Sequence, residues 1–221
     1  MAAIKIKDFV EIDYTGRIKE DNVIFDTTQE KVAKENGLDD KKAKYAPMVI
    51  CIGENHLAKG LEEQLIGKET EKEYTIEVSS DKAYGKKNAK LLQLIPLNKF
   101  RQQNIQPVPG LQLNIDGVFG VVKTVSGGRC YVDFNHPLAG KDLVYDVKIN
   151  KIIDDDAEKL KALLKVHLHV KDPKIEIKEG SAHISLKEGI PSQAQDEFKK
   201  IVENVIPAIK NVVFTILKEI K

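Results

Sequence analysis

The side chains that could do chemistry here are few, and most lack the neighbours such chemistry needs. Cys51 sits inside the apolar run Met48-Val49-Ile50-Cys51-Ile52, where a thiol reads as a small buried hydrophobe. Cys130 is the other cysteine, so neither a disulfide framework nor a four-ligand zinc pattern is available. His167 and His169 fall on an alternating stretch that reads as a strand. That puts both rings on one face at a spacing a metal could use, but no third ligand stands near them. They read as solvated strand histidines, and no metal site is expected. His56 has no serine or cysteine in a nucleophile-elbow or Cys–His setting. Gly127-Gly128 alone carries no phosphate-loop signal, and the alternating charges from Lys174 to Lys187 read as a solvated face. Hydrolysis, phosphoryl transfer and redox chemistry all lack their usual constellations.

What remains is a mostly apolar, partly aromatic set: Tyr14, Phe25, Asp26, Met48, Ile52, Leu57, Leu61, Tyr84 and Tyr145. Read for packing alone, these are core. Yet Tyr14, Asp26 and Tyr84 each bring a polar tip, and buried polar tips need partners. A pocket that is apolar except for two or three hydrogen-bonding groups suits a neutral ligand.

The elements that must position this set can be read from periodicity. Val10, Ile12 and Tyr14 alternate with Glu11, Asp13 and Thr15, and Tyr74, Ile76 and Val78 alternate with Glu73, Thr75 and Glu77, as in strands with one buried face. Met48 to Ile52 predicts a short buried strand broken by Gly53. Asn55 is the expected cap of a helix with Leu57, Ala58, Leu61, Leu65 and Ile66 on its apolar stripe and Lys59, Glu62, Glu63 and Gln64 on the solvent side. Residues 29–46 are mostly charged and read as a loop or frayed helix. Leu143 to Ile149 is a further strand, some sixty residues after the previous one, and between them the character changes. Asp116-Gly117, between Leu111 to Ile115 and Val118 to Val125, is a strong hairpin signal. A small β-rich module inserted at residues 86–129 is expected, its ends close together.

Past Ile153, Asp154-Asp155-Asp156 introduces a helix bearing Leu160, Leu163 and Leu164. A hairpin around Glu179-Gly180, a helix capped by Ser192 and a last strand from Val212 to Ile220 complete an α-β-β-α-β unit over 154–221. Such a unit is near the lower size limit for an independent core, which invites self-association as a homodimer. The 35 basic and 34 acidic residues nearly cancel, leaving a formal charge of +1, so bulk charge points to neither nucleic acid nor an anionic membrane. The N-terminus is too poor in apolar residues for a signal peptide and no run approaches a membrane span, so the chain reads as cytoplasmic.

Several ordered motifs resemble the FKBP-type peptidyl-prolyl isomerases. They are Val10-x-Ile12-x-Tyr14-Thr15-Gly16, Phe25-Asp26, Ile52-Gly53, Gly60-Leu61-Glu62-Glu63, Ala83-Tyr84-Gly85 and Leu143-Val144-Tyr145-Asp146-Val147. Asn135-His136-Pro137-Leu138-Ala139-Gly140-Lys141 resembles the SlyD-like branch, which carries an insert-in-flap chaperone domain after the Ala-Tyr-Gly motif. The C-terminal residues look like the extra domain of archaeal long-type members. The resemblance implies an α+β fold: a curled antiparallel sheet around one helix over 1–85 and 130–153, an inserted chaperone domain over 86–129, and a C-terminal α+β domain over 154–221.

It implies a cofactor-free isomerase acting on Xaa-Pro bonds of unfolded or partly folded polypeptides, with a non-catalytic peptide-binding chaperone as the alternative. Asp26 and Tyr84 take the catalytic roles, the first facing the rotating bond and the second hydrogen-bonding a substrate carbonyl. Tyr14, Phe25, Met48, Leu57, Ala58, Leu61, Leu138 and Tyr145 hold the substrate. Leu94, Ile95, Leu97, Phe100 and Val118 are the implied chaperone surface. The chain departs from the family's best-known members at the pocket floor, with Leu61 where they have Trp, and at Met48 and Tyr145 where they have Phe. A shallower, less aromatic floor implies weaker binding of bulky macrolide inhibitors.

Overall fold

The structure, a computed structural model, describes residues 2–38, 45–115, 117–170 and 172–216. In chain order the elements are β1 (Phe9–Ile18), β2 (Ile24–Thr27), α1 (Glu30–Glu35), β3 (Met48–Cys51), α2 (Lys59–Leu65) and β4 (Lys72–Val78). There follow β5 (Leu92–Pro96), α3 (Leu97–Gln102), β6 (Gln112–Ile115), β7 (Val118–Ser126), β8 (Arg129–Asp133) and β9 (Leu143–Ile153). The chain closes with α4 (Asp156–His167), β10 (Lys174–Lys178), β11 (Ser181–Leu186), α5 (Ser192–Val205) and β12 (Asn211–Ile216). Two compact units result, one of residues 1–78 with 143–221 and the other of residues 79–142.

In the first unit an antiparallel sheet runs β2-β1-β9-β4, and β3 shares the β2 side of β1, pairing with Phe9 to Ile12 while β2 pairs with Thr15 to Arg17. The predicted alternation on β1 is observed: Val10, Ile12 and Tyr14 are buried while Glu11, Asp13 and Thr15 are only half-buried. Ile50, Ile52, Leu61, Leu65, Ile76, Val147 and Ile149 are buried with them, so the apolar stripe of α2 has the sheet it requires. Phe9 is buried as well, on the other face, because the C-terminal segment covers it.

That segment forms the three-stranded sheet β10-β11-β12, with β11 and β12 parallel, and carries α4 and α5. Its core of Leu160, Leu163, Leu164, Ile184, Phe198 and Val202 is continuous with Phe9, Cys51 and Ile153, and Val49 leans on it. A core too small to stand alone is thus completed by the outer face of β1 and β3. Asp155 caps α4, accepting from the Glu158 N–H at 2.8 Å. Ser192 does not cap α5: it is the first helical residue, and the cap position is held by Pro191, which has no side-chain acceptor. His167 and His169 do not lie on a strand. His167 ends α4 and His169 follows it at φ 53°, because the 3.6-residue period of Leu160, Leu163 and Leu164 outlasts the local alternation.

The second unit is a four-stranded antiparallel sheet, β5-β8-β7-β6. Phe100, Leu113, Val122, Cys130 and Val132 form its core, with Ile95, Leu97 and Phe134 packed against it. Ile115 faces Val118 across the expected hairpin, of which Asp116 lies outside the described residues. β8 belongs to this sheet, so residues 130–133, read from sequence as part of the isomerase domain, pair here with β5 and β7. Of the charged stretch 29–46, residues 39–44 lie outside the described residues, as do 217–220 of the expected last strand. Among the described residues no helix is long and apolar enough to cross a membrane.

Candidate functional site

Gly16 organises the first unit's aromatic cluster. In register it stands opposite Asp26 on β2 and opposite Tyr145 on β9. A Cβ at this position would fall 2.7 Å from Phe25 Cζ and 2.9 Å from Tyr145 Cε1, so the absence of a side chain is what admits both rings. Phe25 and Tyr145 meet edge to face, centroids 5.8 Å apart at 90°, and Tyr14 meets Tyr145 at 6.2 Å with a 57° tilt. Tyr14 and Tyr145 are buried, whereas Asp26 is exposed. The Tyr14 hydroxyl donates to Asp26 Oδ2 at 2.6 Å, a short charge-assisted bond that orients the carboxylate. β2 is pinned against β1 beside it. The Tyr14 N–H donates to Thr28 Oγ1 and the Thr28 N–H to the Tyr14 carbonyl, each at 3.0 Å, and the Thr15 and Thr27 hydroxyls meet at 2.8 Å.

Phe25, Asp26 and Met48 line a cavity of about 540 Å³. Thr27, Thr28 and Tyr45 contribute to its wall, and so do Lys165, Val166 and His169 from the end of α4. The last three were absent from the sequence-derived set, because nothing local connects the C-terminal helix to β2.

Leu57 and Ala58, both half-buried, end the loop that leads into α2, and Leu61 is fully buried on that helix. Asn55 is not the cap: it sits at φ 56°, and the cap position is Ala58, with no side-chain acceptor. Glu62 does the work instead. Expected on the solvent side, it is 3% exposed, and its carboxylate accepts from the N–H groups of Gly53 at 2.9 Å, Asn55 at 3.2 Å and Leu57 at 2.8 Å. One buried charge thus fixes the loop that presents Leu57 and Ala58. The signal available in sequence was a carboxylate in the first turn of a helix that follows a glycine-broken strand.

The same loop is tied to α4. His56 Nδ1 accepts from the Cys51 N–H at 3.1 Å, which leaves Nε2 as the protonated nitrogen, and Nε2 lies 3.1 Å from Nε2 of His167. Burial, and then the neighbouring His167, push the His56 pKa down to about 4, and burial lowers that of His167 against the pull of Glu54. The pair is neutral near pH 7. Burial pushes the Cys51 thiol up to about 12, so it is no nucleophile. No cluster of three or more metal-ligating side chains occurs among the described residues.

Tyr84 and Leu138 belong to the second unit. The Tyr84 ring stacks on His136 with centroids 4.2 Å apart and planes 1° from parallel. Leu138 is buried, and its N–H donates to His136 Nδ1 at 3.2 Å. In the same unit Asn88 and Asn135 close the base of the small sheet: the Asn88 N–H donates to Asn135 Oδ1 at 2.8 Å and Asn135 Nδ2 to the Asn88 carbonyl at 3.2 Å. The residues expected on a chaperone surface divide. Phe100 is buried, and Ile95 and Leu97 pack on the core, while Leu94 and Val118 are each 51% exposed. Phe119, at 71%, is more exposed than either. Leu94 pairs with Tyr131, and strand alternation from Tyr131 through Asp133 and Val121 places Phe119 on the same face.

A short helix lies against an antiparallel sheet, with a tyrosine-held carboxylate at the edge of an aromatic cluster. Comparison with known proteins gives it a family. A short-type peptidyl-prolyl cis-trans isomerase of Methanocaldococcus jannaschii is 32% identical over 155 residues, covering 70% of this chain and 98% of that protein. A probable FKBP-type 16 kDa peptidyl-prolyl cis-trans isomerase of Pseudomonas fluorescens is 34% identical over 109 residues, 47% of this chain and 71% of that protein. An FKBP-type peptidyl-prolyl cis-trans isomerase SlyD of Vibrio cholerae is 28% identical over 134 residues, 59% of this chain and 66% of that protein. Residues 93–138 match the family model described as the FKBP26 IF domain. The chain belongs to the FKBP-type peptidyl-prolyl cis-trans isomerases, and its enzyme class is isomerase.

Proposed function

We propose that the protein accelerates cis–trans isomerisation of Xaa-Pro bonds in folding polypeptides at the Asp26 cavity, in the cytoplasm. The observation that carries this reading is the Tyr14–Asp26 bond at the edge of a buried aromatic cluster. Peptide rotation must break amide resonance, a barrier of about 18–20 kcal/mol, and at proline it takes tens of seconds or more unaided. No bond is cleaved and no electron moves, so the reaction calls for no nucleophile or cofactor. An apolar wall favours the twisted imide, which is less polar than the planar one, and a fixed carboxylate supplies an oriented dipole beside the rotating bond. In this reading the half-buried Leu57 and Ala58, ahead of α2, help to hold the proline.

The same proposal gives the second unit the work of gripping unfolded chain. Leu94, Tyr131 and Phe119 support it as exposed apolar side chains on one face of a sheet, Leu94 and Tyr131 paired and Phe119 beyond Asp133 and Val121. A weak binder in the same chain as the isomerase site raises the local proline concentration towards the millimolar range. Self-association through β12 is included, since its outer edge pairs with no strand among the described residues. A monomer in sedimentation velocity at high concentration removes that part.

The test is refolding of a client whose slow phase is proline-limited. Substoichiometric protein is expected to accelerate that phase, and an unchanged rate overturns the proposal.

A further inference from the structure

The cavity that holds Asp26 is larger than one proline ring requires. At about 540 Å³ it is in the range of sites that enclose drug-sized ligands, enough for several atoms of flanking peptide. Part of its wall is Lys165, Val166 and His169, and this wall is held in place. Val49 of β3 packs into the core that α4 shares with the C-terminal sheet, and His167, in the same turn as Lys165, reaches His56 at 3.1 Å.

Lys165 is exposed and makes no ion pair among the described residues, and neither does Lys161 one turn before it. Both line an adjoining cavity of about 270 Å³ whose wall also holds Glu11 and Glu158, while Met48, Lys165 and Val166 line both cavities, so of the two lysines only Lys165 also faces the larger one. Like charges at i and i+4 mildly destabilise a helix. Lys165 gains something from the helix dipole in the last turn of α4, but Lys161 lies further from the end. Asp26 is the carboxylate of the larger cavity, and it is already engaged by Tyr14.

We propose that Lys165, with His169 beside it, reads the polypeptide flanking the substrate proline and favours clients with an acidic side chain a few residues from the Xaa-Pro bond. This rests on the reading of the Asp26 cavity as the isomerase site. The C-terminal segment then belongs to the substrate site as a specificity wall, through a cation that contributes nothing to the chemistry of rotation.

The test uses the full chain and four peptides with one Xaa-Pro bond, carrying Glu or Lys three residues before or three residues after the proline. Exchange NMR reads kcat/KM without a coupling protease. At low salt the Glu peptide is expected to exceed the Lys peptide at least fivefold at one of the two positions, with the ratio shrinking in 0.5 M salt. Lys165→Glu is expected to bring that ratio below one. Lys200→Glu, the same charge change at an exposed position of α5, is expected to keep the wild-type ratio. A ratio near one at both positions, or an equal change from Lys200→Glu, overturns the proposal. Asp26→Ala assayed on an uncharged tetrapeptide separates the two levels. If it is impaired while the ratios are flat, the specificity wall fails alone; if it is unimpaired, the site reading fails with it.

Discussion

The Tyr14 hydroxyl donates to Asp26 Oδ2 at 2.6 Å, joining a buried ring on β1 to an exposed carboxylate on β2. Neither residue could do its part alone. Tyr14 needs a partner for its hydroxyl in an apolar setting, and Asp26 needs a fixed orientation at the cavity edge.

Tyr14→Phe removes that one bond and keeps the ring. A drop in kcat/KM of about three- to tenfold is expected, with a stability loss of about 1 kcal/mol, since the carboxylate can recruit water. Paired urea titration and isomerase assays check both numbers. A stability loss with unchanged turnover would make the bond purely structural.

Glu62→Gln replaces an acceptor-only group that takes three backbone N–H bonds with one that also carries two donors. A loss of about 1–2 kcal/mol is expected, read as a lower urea midpoint at unchanged slope, because the buried side chain would bring amide donors against backbone N–H groups. Since the loop presents Leu57 and Ala58, KM is expected to rise as well.

How far the sequence went is clear from this helix. The β1, β4 and β9 alternations were legible because a sheet with one solvated face writes its burial into every second residue. The aromatic set was legible for the same reason, through motifs lying on those strands. Glu62 was not, because its burial depends on a loop that folds back over the helix start. Nor was the wall from α4. Whether Lys165 lies near Asp26 is decided by Val49, Cys51 and Phe9 packing into the C-terminal core, a contact between segments more than a hundred residues apart. His167 and His169 carry a strand-like alternation, but the helical period of Leu160, Leu163 and Leu164 runs on through His167.

The His56–His167 pair gives stability a pH dependence. Folding holds the His56 pKa at about 4, against 6.5 in the unfolded chain, so the unfolded state binds a proton first as the pH falls. Stability is therefore full above pH 6.5 and is lost progressively towards pH 4, and His167 acts in the same direction. The pair is partly exposed, so the loss is on the order of 1–2 kcal/mol. His56→Gln is expected to flatten the midpoint-versus-pH curve between pH 6.5 and 4.5; a curve as steep as the wild type's would contradict it.

Replacing residues 89–134 with a short Gly-Ser link joins Asn88 to Asn135, which already bond to each other. Tetrapeptide turnover is expected to stay within about twofold, while acceleration of proline-limited refolding falls at least tenfold. Phe119→Ser, which removes the most exposed apolar side chain of that unit, is expected to lower refolding activity alone. Equal losses in both assays would remove the division of labour.

The central claim is that Asp26 and its cavity are where the Xaa-Pro bond rotates, and exchange NMR on an uncharged Xaa-Pro tetrapeptide tests it most directly. The wild type is predicted to accelerate cis–trans exchange, and Asp26→Ala, still folded though with a urea midpoint lowered by the loss of the Tyr14 bond, to retain less than a tenth of that kcat/KM. A folded Asp26→Ala protein as active as the wild type would contradict the account.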